Sequence, residues 1–156
     1  MEKEFLEVIH DHQRIVHKVC RVYRDNKEDQ EDLFQEIIYQ LWKSFSAFKG
    51  ESKISSWIYR IALNTAIAVY RKSKISIDYY DEFPEHIHPS NDKTISENEE
   101  RLFWALRQLN DSEKAVISLY LEDFSYQEIA AITGLSESNV GVRLNRIKNK
   151  LKQILK

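Results

Sequence analysis

Glycine and proline are nearly absent from this chain, with three glycines and two prolines in 156 residues. Tight turns and hairpins draw on these two residues, glycine for positive φ and proline for a preset φ. A chain so poor in both cannot supply the turns of a sheet-rich fold, and is predicted to be all-α. At 42% hydrophobic and 31% charged residues it has the apolar content to fold, and its length suits one ordinary domain or two small ones. The longest apolar run is about five residues, against the ~20 that a membrane span requires, so no membrane insertion is expected. The opening residues Glu2, Lys3 and Glu4 do not read as a secretory signal. A single cysteine, Cys20, allows no internal disulfide and suits a reducing compartment. A cytoplasmic protein is expected.

The formal net charge of −2 hides a strong segregation. Residues 76–100 hold one basic and eight acidic side chains, while residues 43–75 hold seven lysines and arginines against Glu51 alone. Residues 137–156 hold six against Glu137 alone. Two basic stretches on a weakly acidic chain point to nucleic-acid contact at two places.

Apolar periodicity organises the first half. Phe5, Ile9, Val16, Cys20 and Tyr23 form one stripe of a long first helix. Asn26 and Asp29 are cap residues for a second, whose apolar face is Phe34, Ile37, Ile38, Leu41, Phe45 and Phe48, with Gly50 predicted to end it. A polar loop over 51–55 leads to a third helix over about 56–72, burying Ile58, Ile61, Ala62, Thr65 and Val69. Residues 76–96 carry both prolines and a run of acids without sustained period, the composition of a flexible acidic linker; Tyr79, Tyr80 and Phe83 are candidates for local docking.

The second half is sharply punctuated. Ser96 with Glu99 reads as a capping box opening a helix to about Leu109, and Asn110 and Asp111 cap another to about Leu121. Ser125 with Glu128 repeats the box, Gly134 closes that helix, and Ser136 caps a final helix reaching the C-terminus. The segment 125–146 is predicted to be a helix-turn-helix. Ile129 and Ala130 supply its packing, Ala131 leaves room for close approach and Leu135 plugs the turn. In the last helix Val140, Leu144, Ile147, Leu151 and Ile154 are spaced 4, 3, 4 and 3, one buried stripe. The opposite face presents Ser138, Asn139, Val142, Arg143 and Arg146. Short polar groups near the helix start suit base edges, and arginines further along suit phosphates.

Two segments resemble a known family. The stretch DLFQEIIYQLWKSFSAFKGESKISSWIYRIALNTAIAVYRK, residues 32–72, is similar to region 2 of the extracytoplasmic-function (ECF) sigma factors of bacterial RNA polymerase. The stretch LNDSEKAVISLYLEDFSYQEIAAITGLSESNVGVRLNRIKNKL, residues 109–151, resembles their region 4. The more specific part is the pattern of Asp32, Gln35, Glu36 and Trp42 followed by SSWIYRIALN. The resemblance implies a region 2 domain of three or four helices over 1–75, a linker over 76–96 and a region 4 helix-turn-helix domain over 97–156. It implies that Asp32, Gln35, Glu36 and Tyr39 dock on the largest subunit of core RNA polymerase, and Gln35 and Glu36 are therefore expected to be exposed. The loop over 48–56 would capture a base flipped from the promoter −10 element. Lys53, Ser55, Trp57, Arg60, Asn64, Arg71 and Lys72 would line that site or hold its phosphates.

For the −35 element the resemblance implies Ser136, Ser138, Asn139, Val142, Arg143 and Arg146. The family commonly reads S-x-x-T-V-K-S-R here, whereas this chain reads SESNVGVR, with Asn139, Gly141 and Val142 in place of Thr, Lys and Ser. A helix-interior glycine costs ~1 kcal/mol, which suggests that Gly141 relieves a steric approach to DNA. Core RNA polymerase, promoter DNA and an anti-sigma factor are the implied partners, with no cofactor, no metal and no catalytic residue.

Two other classes compete. A stand-alone helix-turn-helix regulator with an N-terminal effector domain would bind duplex DNA by itself. A metal-dependent enzyme would use His10, His12, His17, His86 and His88, but there is no HExxH motif and His12 falls on a different helix face from His10. These histidines read as surface or interface groups.

Overall fold

The computed structural model describes residues 1–71 and 96–156. The expected linker, Lys72, Tyr79, Tyr80, Phe83, His86 and His88 lie outside the described residues. Every regular element among the described residues is a helix. They run α1 Glu2–Tyr23, α2 Lys27–Phe45, α3 Ile54–Arg71, α4 Glu97–Arg107, α5 Asp111–Leu121, α6 Tyr126–Thr133 and α7 Glu137–Ile154. The chain divides into two compact units, the first holding α1–α3 and the second α4–α7.

In the first unit all three helices pack on one another. The predicted α1 stripe is buried, joined by Val19 and Val22. Asn26 caps α2 by accepting the Asp29 N–H at 2.8 Å, and Glu28 and Asp29 place negative charge at the positive end of the helix dipole. Arg24, in the break between α1 and α2, donates through Nη2 to the Ala66 carbonyl of α3 at 3.1 Å. That bond ties the end of α1 to the middle of α3. At the other end Phe5 meets Trp42 edge-on at 5.1 Å and Phe45 at 5.3 Å.

Gly50 does not end α2, as was expected of it. The helix stops at Phe45, and the chain turns over Ser46 and Ala47. Gly50 stands in the following loop at φ +75 with open space where a Cβ would be, so the backbone, not crowding, requires glycine there. Phe48 leaves the helical face and packs on Trp57 of α3 at 4.9 Å. α3 begins at Ile54, ahead of the predicted start, and the Lys53 carbonyl already accepts the Trp57 N–H at 3.1 Å.

In the second unit α5, α6 and α7 pack mutually and α4 rests on α7. The predicted caps are present, Ser96 as a one-way cap and not the reciprocal box expected of it. Asn110 and Glu113 close a reciprocal capping box at 3.0 and 2.8 Å, as do Ser125 and Glu128 at 2.9 and 3.1 Å. Ser96 accepts the Glu99 N–H at 3.2 Å. Gly134 closes α6 at φ +83 with nothing near its missing Cβ, a conformation that costs an L-residue ~1–2 kcal/mol. Val140, Leu144 and Ile147 are fully buried. Leu151 and Ile154 are half-buried, where Arg101 of α4 donates to the Leu155 carbonyl at 3.1 Å.

Candidate functional site

Three surfaces hold the residues singled out from the sequence. The first is the outer face of α2. Positions 32, 35, 36 and 39 fall within a turn of one another, but their environments differ. Asp32 is exposed, and Gln35 and Tyr39 are half-buried. Lys43 stands over the Tyr39 ring, 5.8 Å from its centroid. Glu36 contradicts the expectation of exposure, since only 2% of it meets solvent. Its position borders the Leu33–Ile37 core stripe, so the helix turns it inward.

The Glu36 carboxylate accepts from Gln40 Nε2 at 3.0 Å through Oε2, while Oε1 is buried without a partner. Burial pushes its carboxyl above the usual range, beyond what the Gln40 amide and the Lys43 ammonium restore. The folded state therefore holds the proton more tightly than the unfolded one, and stability falls as pH rises past the unfolded carboxylate pKa. Glu36→Gln keeps an acceptor for Gln40 and removes the charge. It is expected to stabilise the fold by ~1 kcal/mol at neutral pH, with the gain shrinking at about pH 4, where the unfolded glutamate is also protonated. Urea unfolding at the two pH values measures this; equal stability of the two chains at neutral pH would contradict it.

The second surface is one face of α3 with the loop before it. Lys53, Trp57, Arg60 and Asn64 recur at intervals of four, three and four, so the helix lines them up. Lys53, Arg60 and Asn64 are exposed and Trp57 is half-buried, packed between Phe48 and Phe45 at 4.9 and 6.2 Å. Ser55 is half-buried in the first turn of α3, on a different side from this row. Arg71 closes the helix.

The third surface is α7. Ser136 caps it by accepting the Asn139 N–H at 3.1 Å, and its hydroxyl lies 3.3 Å from that of Ser138. Ser138, Asn139, Val142 and Arg146 are exposed on the side opposite the buried stripe. Arg143 is not on this open face. It is half-buried and donates through Nη1 to Ser112 Oγ of α5 at 2.9 Å. The basic character of α7 is also partly spent inside the fold. Lys150 Nζ donates to both oxygens of Glu113 at 2.9 Å, and Lys148 donates to Tyr120 Oη at 3.0 Å from above its ring. Burial pushes the Glu113 carboxyl up, but the Asn110 N–H and Lys150 outweigh it and hold it below the ordinary range.

Several of these contacts went unforeseen. A Cβ on Gly141 would stand 3.4 Å from Cε2 of Tyr126 in α6. A side chain at this position would therefore point toward the Tyr126 ring, at ordinary van der Waals contact. Ala131, expected at a close approach, is exposed. Among the described residues no group of three or more His, Cys, Asp or Glu could hold a metal ion. His12 Nδ1 lies 3.0 Å from the Val8 carbonyl and His17 stacks on Phe34 at 4.7 Å. No described helix is long and apolar enough to cross a membrane.

Residues 8–75 match the family model of Sigma-70 region 2, and residues 100–151 match that of Sigma-70, region 4. The chain is 32% identical to the RNA polymerase sigma factor SigV of Bacillus subtilis, over 88% of this chain and 82% of the relative. It is 30% identical to the ECF RNA polymerase sigma-E factor of Haemophilus influenzae, over 83% and 78%. In fold it is similar to CnrH in complex with the cytosolic domain of CnrY, with a TM-score of 0.71 at 21% identity over 99% of this chain and 89% of that one. It is also similar to the sigma factor RpoE in complex with the anti-sigma factor NepR from Bartonella quintana, with a TM-score of 0.68 at 21% identity over 99% and 95%.

Proposed function

The chain belongs to the ECF sigma factors of the sigma-70 family, and we propose a division of labour among its surfaces on that premise. Sigma factors bind core RNA polymerase and direct it to promoter DNA. The first unit, with the residues up to 75, meets core polymerase and the −10 element; residues 97–156 meet the −35 element. Residues 76–96 join them. The observation that supports this best is α7, an exposed row of Ser138, Asn139, Val142 and Arg146 on the back of a fully buried apolar stripe, opened by a capped N-terminus. A helix so divided has one face for the fold and one for a groove.

On α3, Asn64 offers an amide to the edge of an unpaired base and Trp57 a flat surface, with Lys53 and Arg60 near the backbone. On α2, Asp32 is the exposed anionic group that meets a basic partner helix, flanked by Gln35 and Tyr39. Glu36 supports that face from beneath. The protein does no catalysis of its own; nucleotide chemistry belongs to the polymerase. It acts in the cytoplasm, and an anti-sigma factor of the kind that accompanies RpoE of Bartonella quintana holds it inactive.

Asp32→Lys reverses a charge without touching the core, because Asp32 is exposed. It is expected to weaken binding to purified core polymerase by roughly tenfold, the scale of a lost interfacial charge pair, with unchanged helical content. Undiminished affinity in a competition assay would remove α2 from the docking surface.

A further inference from the structure

We infer that Val142 reads the 5-methyl group of a thymine in the −35 element, which makes it a specificity-determining residue of this chain. The inference rests on the reading of α7 as the helix that enters the groove there. Val142 is 48% exposed, the one large hydrophobic side chain of α7 among the exposed set of the described residues. It stands three residues after Asn139 and four before Arg146, in the centre of the exposed row. Its two neighbours leave it alone on the row: Gly141 has no side chain, and Arg143 is drawn to Ser112 on α5. Val142 is therefore the middle of the row that faces the bases.

An isopropyl group has neither donor nor acceptor, so it cannot take part in hydrogen-bonded readout. The one apolar feature that a base pair of unmodified DNA presents in the major groove is the thymine methyl. A β-branched side chain in a helix is held in one rotamer, so Val142 presents its methyl groups in a fixed direction. Any pair lacking the methyl leaves valine against a polar edge. Asn139, one turn earlier, carries an amide suited to adenine. Together they favour A·T pairs read by two different chemistries.

The test separates the methyl from every other property of the pair. Holoenzyme assembled from this protein and core RNA polymerase selects its preferred −35 sequences from a randomised library. Each thymine of the selected element is then replaced singly by deoxyuridine, which keeps the pairing and all hydrogen-bonding groups. One position is expected to lose promoter binding by roughly fourfold with uracil, the worth of one methyl group returned to water. Holoenzyme carrying Val142→Ser is expected to bind thymine and uracil equally at that position, while still distinguishing the bases opposite Asn139. A selected −35 element at which wild-type holoenzyme is indifferent to uracil overturns the role of Val142 and leaves the reading of α7 standing. So does a Val142→Ser variant that discriminates as the wild type does. A library with no −35 preference at any position overturns both.

Discussion

Replacing Phe5 by alanine is expected to lower the stability of the first unit by ~3–5 kcal/mol, the range for a buried aromatic truncated to a methyl. Phe5 is fully buried and contacts Trp42 and Phe45 together, so it closes the open end of the α1–α2 pair. A domain of this size has ~5–15 kcal/mol in total, and the loss would leave a substantial unfolded fraction. Urea unfolding followed through Trp42 and Trp57 fluorescence gives the value, with Glu7→Ala on the exposed side of α1 as a control expected within ±0.5 kcal/mol. A midpoint for Phe5→Ala as close to wild type as the control's would mean that the aromatic clasp is not what holds α1.

The second large effect separates base reading from phosphate holding on α7. Asn139→Ala is expected to change which −35 bases are preferred, by ~1–3 kcal/mol at the contacted pair. Its amide is exposed in the first turn, and only its backbone N–H is used by the Ser136 cap, so the helix start survives the substitution. Arg146→Ala is expected to weaken all promoters alike and to reduce the salt dependence by about one counterion. It is the arginine of α7 left on the exposed row once Arg143 is tied to Ser112. A randomised −35 library transcribed with each variant, beside a salt titration, distinguishes the two. Unaltered base preference for Asn139→Ala, or a selective change for Arg146→Ala, would show α7 rotated in the groove.

What could be read from the residues, and what could not, divides along a physical line. Caps and left-handed glycines are local devices, and Asn110, Ser125, Gly134 and Ser136 act as their spacing implied. The buried stripe of α1 and the Val140, Leu144 and Ile147 part of that of α7 likewise follow from period alone. Residues at the margin of a stripe are different, because their burial depends on which neighbour leans over them. Glu36 sits one step outside the α2 core stripe and reads as surface until the bundle covers it. Arg143 and Lys150 read as part of a basic face until α5 brings Ser112 and Glu113 against them. Phe48 keeps the α2 period in sequence, yet the helix has ended and the ring packs back on Trp57. Of the groups implied by resemblance, Lys53, Trp57, Arg60 and Asn64 fall in one row, whereas Ser55 lies on another side of α3 and Lys72 is outside the described residues.

A sigma factor must direct core polymerase to initiate at promoters. Purified core polymerase from the source bacterium is given a library of genomic fragments, with and without this protein, and the 5′ ends of run-off transcripts are mapped. The expected result is a defined set of start sites that require both components, sharing −10 and −35 sequences, while the protein alone shows little specific duplex binding at physiological salt. Transcripts unchanged by the protein, together with tight sequence-specific binding by the protein alone, would contradict the sigma-factor account and leave a stand-alone helix-turn-helix regulator.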